Sequence, residues 1–188
     1  MENVFLLTAE KGELQPHPTA PKLGKFFSAN ERKFQDDLRR YGSLIVCEEL
    51  IQVLDSFREE VGEVVTVTSF NRDDKKQAEL NDNPAYKAAT YSPHVVKLAA
   101  DITTASLIAL ATEPRLRKVL ITIMTNYYVP TLKRVAKELG IRIRIGYKQY
   151  LDNGQQFIHL DVCPEYFGKG HIWYDRPHPS PWGQEITW

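Results

Sequence analysis

Cysteine is scarce in this chain of 188 residues, since Cys47 and Cys163 are the only two. They are distant in sequence and lack the Cys-x-x-Cys spacing of metal sites, which favours free thiols over a disulfide framework. Net charge is also lacking, because 24 basic residues balance 24 acidic ones. This balance gives no electrostatic case for a nucleic-acid partner.

Long hydrophobic runs are missing as well. No apolar stretch approaches the roughly 20 residues that a membrane-spanning helix needs. The N-terminal residues Met-Glu-Asn-Val-Phe-Leu-Leu contain only a short apolar run and no basic segment, so a secretory signal is not expected. The sequence predicts a chain that is cytoplasmic at synthesis, which leaves its site of action open.

What the chain has is an ordinary globular composition, with 43% hydrophobic and 26% charged residues. Its length suits one domain with a real hydrophobic core. Prolines between residues 10 and 25 favour an extended arm. We therefore expect an N-terminal arm over 1–25, a domain over 26–163, and a C-terminal tail over 164–188 that wraps over the domain.

Two helices are predicted near the start of the domain. Ser28 and Glu31 have the spacing of a capping box, which predicts a helix over 28–41. A second helix is predicted over 47–61, and Gly62 is expected to end it. The apolar stripe of this second helix is expected in the core and consists of Leu50, Ile51, Leu54 and Phe57.

The central part of the chain alternates strand and helix patterns. The β-branched run over 64–68 predicts a strand, and a shorter strand is expected over 98–102, followed by a helix over 105–112. The polar stretch over 70–93 predicts a long irregular segment of the kind that often carries function.

The sequence of residues 115–139 fits more than one secondary structure. The stretch is mostly helical in character, interrupted at Pro130 and ended at Gly140. The run Val119–Ile123, however, fits a strand equally well.

A hairpin is predicted towards the C-terminus. Residues 141–150 alternate isoleucine with arginine, which is typical of a strand, and Arg142 and Arg144 are interpreted as its solvated face. The pair Asn153-Gly154 is a hairpin-turn signal. The run Phe157–Val162 then returns as the partner strand.

Ionisable side chains interrupt two of the apolar runs. Asp101 lies in Leu-Ala-Ala-Asp-Ile, while His159 and Asp161 share one face of Phe-Ile-His-Leu-Asp-Val. Such groups lose water on burial and need a partner. Together with His94, residues Asp101 and His159 can supply three N/O ligands to one zinc ion and leave a fourth position for water. This pattern favours a metal-dependent hydrolase.

Three short motifs occur in a fixed order. They are Ser69-Phe70-Asn71-Arg72, then Ser92-Pro93-His94 with Asp101 seven residues after the histidine, and then Phe157-Ile158-His159-Leu160-Asp161. In order and spacing, over roughly 26–163, the chain resembles the M15 zinc peptidases. These are D-Ala-D-Ala carboxypeptidases and L-Ala-D-Glu endopeptidases, to which hedgehog-type domains are structurally related. The resemblance implies an α+β fold in which a small antiparallel sheet has helices packed on one face.

The resemblance also implies roles for individual residues. It makes His94, Asp101 and His159 the ligands of Zn²⁺, and it makes Arg72 and Ser92 groups that hold a carbonyl or carboxylate of the substrate. Two neutral imidazoles and one carboxylate leave a net positive charge, which favours ionisation of bound water and polarises a carbonyl. The implied substrate is the peptide stem of bacterial peptidoglycan, so the site of action would be the cell wall or periplasm.

The chain departs from the M15 pattern at several positions. The carboxylate that many members carry three residues before the last zinc ligand is replaced by Gln156, which cannot accept a proton near neutral pH and is expected to contact substrate. A glycine common after the first histidine is missing, with Val96 and Lys97 in that stretch. Asp161, or Asp152 at the turn, is a candidate for the base or for a group that orients a ligand.

Two functions from different classes fit these features. The first is a zinc-dependent peptidase that hydrolyses peptidoglycan stems, with Arg72 stabilising the developing charge. The second, favoured by Gln156 and by the terminal arms, is a catalytically impaired member of the fold. Such a protein would bind the cell wall or assemble with a phage tail or injection machine.

Overall fold

The computed structural model describes residues 4–8, 22–83, 92–147, 156–162 and 185–186. Its strands are β1 (Val4–Thr8), β2 (Ser43–Cys47), β3 (Val65–Ser69), β4 (Ala99–Thr104), β5 (Arg144–Gly146), β6 (Ile158–Asp161) and β7 (Glu185–Ile186). Its α-helices are α1 (Arg32–Tyr41), α2 (Glu48–Val61), α3 (Asp74–Asp82), α4 (Ala105–Ala111), α5 (Arg117–Ile123) and α6 (Val129–Glu138).

The strands form two antiparallel sheets. The larger sheet has the order β3-β4-β6-β5-β7, and a separate pair joins β1 to β2. All of the strand pairs are antiparallel, and helices occupy much of the remaining described chain. The α+β class predicted from the sequence is confirmed.

The two faces of the larger sheet differ in chemistry because successive side chains in a strand point to opposite sides. One face is apolar and belongs to the hydrophobic core; it carries Val65, Val67, Ile102, Ile145, Ile158 and Leu160. Helices α2 and α6 pack together, and their apolar residues join the same core. The other face carries the polar side chains of the candidate site.

Helix α2 begins one residue after its predicted start, ends at Val61 as predicted, and has the predicted buried stripe. Leu50, Ile51, Leu54 and Phe57 are all buried. Gly62 ends the helix with φ at 67°, in the left-handed region where glycine has no steric penalty.

The first helix begins later than the capping-box pattern predicts. Helix α1 starts at Arg32 rather than Ser28. Ser28 instead closes a turn before the helix, since its Oγ accepts a hydrogen bond from the Asn30 amide and its carbonyl accepts one from the Glu31 amide.

Within the segment predicted as irregular, residues 74–82 form helix α3. Asp73 caps this helix by accepting a hydrogen bond from the Lys76 amide at 2.6 Å. The prediction was wrong there because the helix is polar and shows no apolar repeat. Residues 84–91, in the same segment, lie outside the described residues.

The stretch over 115–139 is helical, and its alternative interpretation as a strand over Val119–Ile123 is wrong. A 3₁₀ turn at Pro114–Leu116 leads into α5, a π-helical segment at Met124–Tyr128 follows, and α6 continues through Pro130. The irregularity therefore precedes the proline. Pro130 has no N–H to donate to the preceding turn, which is consistent with a widened turn there.

The hairpin strands β5 and β6 pair as predicted, with Arg144 opposite Asp161 and Ile145 opposite Leu160. The Asn153-Gly154 turn lies outside the described residues, as does most of the tail, from which β7 pairs with β5. Among the described helices, none has the combination of length and apolar character needed to cross a membrane.

Candidate metal centre

The polar face of the larger sheet brings together the three residues predicted as metal ligands. Asp101 in β4 lies directly opposite His159 in β6 in the antiparallel register. His94 precedes β4 in a compact turn, in which the Val95 amide bonds the Ser92 carbonyl and the Lys97 amide bonds the His94 carbonyl. All three side chains are buried. Sheet register and one turn thus place residues that are far apart in sequence at a single point.

The donor atoms of this group are close enough to hold one cation. Asp101 Oδ1 lies 3.2 Å from His94 Nε2 and 2.8 Å from His159 Nδ1. One ligand atom from each residue lies within 4.8 Å of the other two. Neighbouring ligands of a tetrahedral zinc ion are about 3.3 Å apart, given Zn–N and Zn–O bonds of about 2.0–2.1 Å. The group can therefore hold a metal ion with little rearrangement.

The second nitrogen of each imidazole has its own hydrogen-bond acceptor. His94 Nδ1 lies 2.6 Å from the Phe70 carbonyl, to which it donates. His159 Nε2 lies 3.3 Å from Asp161 Oδ2. These contacts leave His94 Nε2 and His159 Nδ1 facing Asp101, as is usual for metal-binding histidines, whose outer N–H is held by a carbonyl or carboxylate.

Burial and charge shift the pKa values of the three residues in different directions. Burial lowers the pKa of His94, which favours the neutral, metal-binding imidazole. For Asp101, burial raises the pKa, but the two imidazoles outweigh it and the net shift is downward. For His159, burial opposes the cation, yet the hydrogen bonds to Asp101 and Asp161 raise its pKa to about 9. A metal ion at Nδ1 would displace the proton held there.

Arg72 lies beside this group without a carboxylate partner among the residues of 4–8, 22–83, 92–147 and 156–162. Its guanidinium donates to Gln77 Oε1 at 2.8 Å and to the hydroxyls of Ser69 and Ser92 at 3.4 Å. The Arg72 amide also bonds the His94 carbonyl at 3.2 Å. Arg72 is therefore a half-buried cation held by neutral acceptors next to the candidate ligands.

Ser92 and Gln156 are the other predicted substrate contacts, and only Ser92 has a described contact with a ligand residue or with Arg72. Ser92 is buried, and its Oγ accepts from the His94 amide at 3.4 Å as well as from Arg72. Gln156 is half-buried at the entry to β6, where its carbonyl accepts from Thr103 Oγ1 at 2.7 Å. Asp152, the alternative base, lies outside the described residues.

Arg144 belongs to this face, and its interpretation as a solvated residue is wrong. Its relative exposure is 2%. Its Nε lies 2.9 Å from both carboxylate oxygens of Asp161, and its Nη2 lies 2.7 Å from Asp161 Oδ2. Burial raises the pKa of Asp161, but His159 and Arg144 outweigh it and lower the pKa overall. The burial of Arg144 could have been inferred from the pairing register of the hairpin, because that register sets Arg144 opposite Asp161.

Lys97, which follows His94 by three residues, adopts a backbone conformation that suits glycine. Its φ is 66°, and it is the one non-glycine residue with positive φ in the described part of the chain. Its Nζ donates to the Arg72 carbonyl and lies 5.6 Å from the centre of the Tyr41 ring. The lysine therefore joins the turn that carries His94 to the loop that carries Arg72.

Comparisons with known proteins give similarity to solved structures only. No protein-family model matches the sequence, and no curated protein matches it. Among solved structures, the L-Ala D-Glu endopeptidase ChiX of Serratia marcescens is similar with a TM-score of 0.45 and 17% sequence identity. The matched region covers 72% of this chain and 90% of that one.

Proposed function

We propose that this protein is a zinc-dependent peptidase of the M15 type that hydrolyses peptide bonds in peptidoglycan stems and acts in the cell wall or periplasm. The observation that carries the proposal is the convergence of His94, Asp101 and His159 within 4.8 Å at one buried point. The substrate class rests on the resemblance of the three sequence motifs, in order and spacing, to the M15 peptidases.

The donor set suits zinc in a hydrolytic role. Two imidazoles and one carboxylate are a common set of protein ligands for catalytic zinc, which keeps one position for water or substrate. Zinc held there supplies Lewis-acid chemistry, which polarises a scissile carbonyl and activates water. The chain's own contribution is to fix the donor atoms through the Phe70 carbonyl and the Asp161 carboxylate.

Arg72 supplies the second element of the proposed chemistry. Its guanidinium donates to neutral side chains. Within the part of the chain that the structure describes, no carboxylate pairs with it, so its positive charge is not neutralised there. A fixed cation beside the metal ligands can bind a carboxylate of the stem or stabilise an oxyanion that develops during hydrolysis. Ser92, bonded to Arg72, and Gln156 are proposed as further substrate contacts.

The experiment is incubation of the purified protein with zinc and defined muropeptides, with cleaved stems detected by mass spectrometry. We expect cleavage by the wild type and none by His159→Ala or Asp101→Asn. Asp36→Asn is the matched control, since it makes the same change at an exposed carboxylate of α1. Full activity of His159→Ala would exclude the proposal.

A second candidate function is supported by one specific feature. Gln156 replaces the expected base, and the two carboxylates of the site, Asp101 and Asp161, are already bound to histidine or arginine. A catalytically impaired protein that binds the cell wall, or that assembles with a phage tail or injection machine, fits this arrangement. Binding to purified walls without release of muropeptides, together with activity created by Gln156→Glu, would favour this candidate over the peptidase.

A further inference from the structure

Arg144 has no part in the proposed chemistry, yet its ion pair with Asp161 is enclosed at the candidate metal centre. The side-chain exposures of Arg144 and Asp161 are 2% and 1%. The guanidinium makes three contacts of 2.7–2.9 Å with the carboxylate. Such a fork fixes both the position and the plane of a carboxylate.

The same carboxylate also contacts His159. Asp161 Oδ2 lies 3.3 Å from His159 Nε2, while Nδ1 of the same ring lies 2.8 Å from Asp101. Arg144, Asp161, His159 and Asp101 therefore form one continuous chain of polar contacts. The register of the sheet places these residues in contact, because Arg144 is opposite Asp161 and Asp101 is opposite His159.

We infer that Arg144 is a positioning residue for the metal centre, acting through Asp161. Arg144 fixes the Asp161 carboxylate, which holds the N–H of His159 at Nε2 and so directs the Nδ1 lone pair towards the metal. This inference rests on the proposed metal site. It also separates the two roles open for Asp161.

A base for the attacking water must lie on the side of His159 where the metal would sit. Asp161 lies instead at Nε2, the ring nitrogen directed away from Asp101. Both of its carboxylate oxygens also accept hydrogen bonds from Arg144 Nε. The geometry therefore supports orientation of His159, and not general-base catalysis, as the role of Asp161.

Buried ion pairs are weak sources of stability, because desolvation offsets the attraction between the charges. Replacing both partners by apolar side chains of similar volume is therefore expected to leave the fold intact. A loss of zinc affinity in a folded double variant would therefore indicate a positioning role for the ion pair and not a structural one. The double variant Arg144→Met/Asp161→Leu removes the charges together and leaves His159 Nε2 without its acceptor.

The experiment measures zinc affinity of the full chain by competition with a chromophoric chelator. We expect the double variant to bind zinc about 10–100-fold more weakly than the wild type. Arg144→Lys keeps a charge but loses the fork, so its affinity should fall between the two. The control is Arg134→Met/Glu60→Leu, which removes the Arg134–Glu60 ion pair, at 2.6 Å between α6 and α2, and should bind zinc like the wild type.

A spectroscopic measurement distinguishes positioning from a general loss of structure. The visible spectrum of the Co²⁺-substituted protein reports ligand geometry, and we expect it to change in the double variant under conditions where circular dichroism shows native folding. Wild-type zinc affinity and an unchanged Co²⁺ spectrum in the double variant would overturn the inference. Failure of the wild type itself to bind zinc would instead overturn the proposed metal site.

Discussion

Lys97 combines a strained backbone conformation with a stabilising hydrogen bond from its side chain. A side chain at φ 66° costs about 1–2 kcal/mol relative to glycine, and the hydrogen bond from Nζ to the Arg72 carbonyl offsets part of that cost. We predict that Lys97→Gly changes the free energy of unfolding by less than about 1 kcal/mol, since lost strain, lost contact and added chain entropy nearly cancel. Urea denaturation measures the difference.

The matched variant is Lys97→Val, which loses the same contact but keeps and worsens the strain, because a β-branched residue is disfavoured at positive φ. We expect it to be less stable than Lys97→Gly by about 1–2 kcal/mol. Equal stability of the two variants would show that the left-handed conformation is not strained in the protein.

Arg144 allows a second prediction, on stability. Arg144→Met alone leaves the Asp161 carboxylate buried without its cation, so the free energy of unfolding should fall by about 3–5 kcal/mol. Adding Asp161→Leu should restore most of that loss, because no uncompensated charge remains. Chemical denaturation of the single and double variants tests this non-additivity. Additive losses would mean that the two residues do not act as a pair.

The residues of the candidate site were predictable to different degrees. Asp101 and His159 could be found because a polar residue in an apolar run requires a partner, and His94 because it precedes Asp101 by seven residues within the ordered motifs. Arg144 could not be found in this way, since alternating isoleucine and arginine is also the pattern of a half-exposed strand. Its burial depends on Asp161 in the neighbouring strand, and only strand pairing shows that contact.

At the scale of elements, one hydrogen-bonded group joins the π-helical segment to two neighbours. The Tyr128 hydroxyl donates to Glu63, between α2 and β3, and accepts from Thr104 Oγ1 at 3.1 Å, at the start of α4. Burial raises the pKa of Tyr128, as does Glu63, to about 12. For Glu63, burial raises the pKa, but Tyr128 and Ser106 lower it more.

Tyr128→Phe should therefore reduce stability by about 1–2 kcal/mol near neutral pH. A lowered glutamate pKa stabilises the fold above the ordinary value of 4.5 and ceases to do so as pH falls through the lowered value. A raised tyrosine pKa stabilises below 10 and ceases to do so as pH rises through about 12. The variant and wild type should differ most between these limits in urea denaturation. A difference that persists undiminished in acid would contradict the pairing.

The elements themselves were predictable where their pattern reflects burial. The β-branched run of β3 and the apolar stripe of α2 gave nearly correct bounds, because both are selected by contact with the core. Helix α3 was not predicted, because its side chains are mostly polar. Its one buried residue, Gln77, accepts a hydrogen bond from Arg72 beside the candidate site.

In the whole molecule, the residues that form the hydrophobic core and the residues of the proposed metal centre lie on opposite faces of the larger sheet. The apolar face packs against the core that α2 and α6 complete. The polar face carries the donor atoms, which come from a turn, from β4 and from β6. Because these segments meet only in the folded chain, the unfolded chain cannot present the same group of donor atoms.

A ligand that binds the folded state and not the unfolded state raises the free energy of unfolding by RT ln(1 + [L]/Kd), which is about 2.7 kcal/mol when free zinc is 100 times Kd. We predict this increase for the wild type in urea denaturation with buffered zinc, relative to EDTA. His94→Ala should lose it, since removal of one of three ligands leaves an incomplete set. The control Asp36→Asn should retain it. Equal zinc stabilisation of wild type and His94→Ala would place the ion elsewhere on the chain, and the polar face of the sheet would then have no metal to hold.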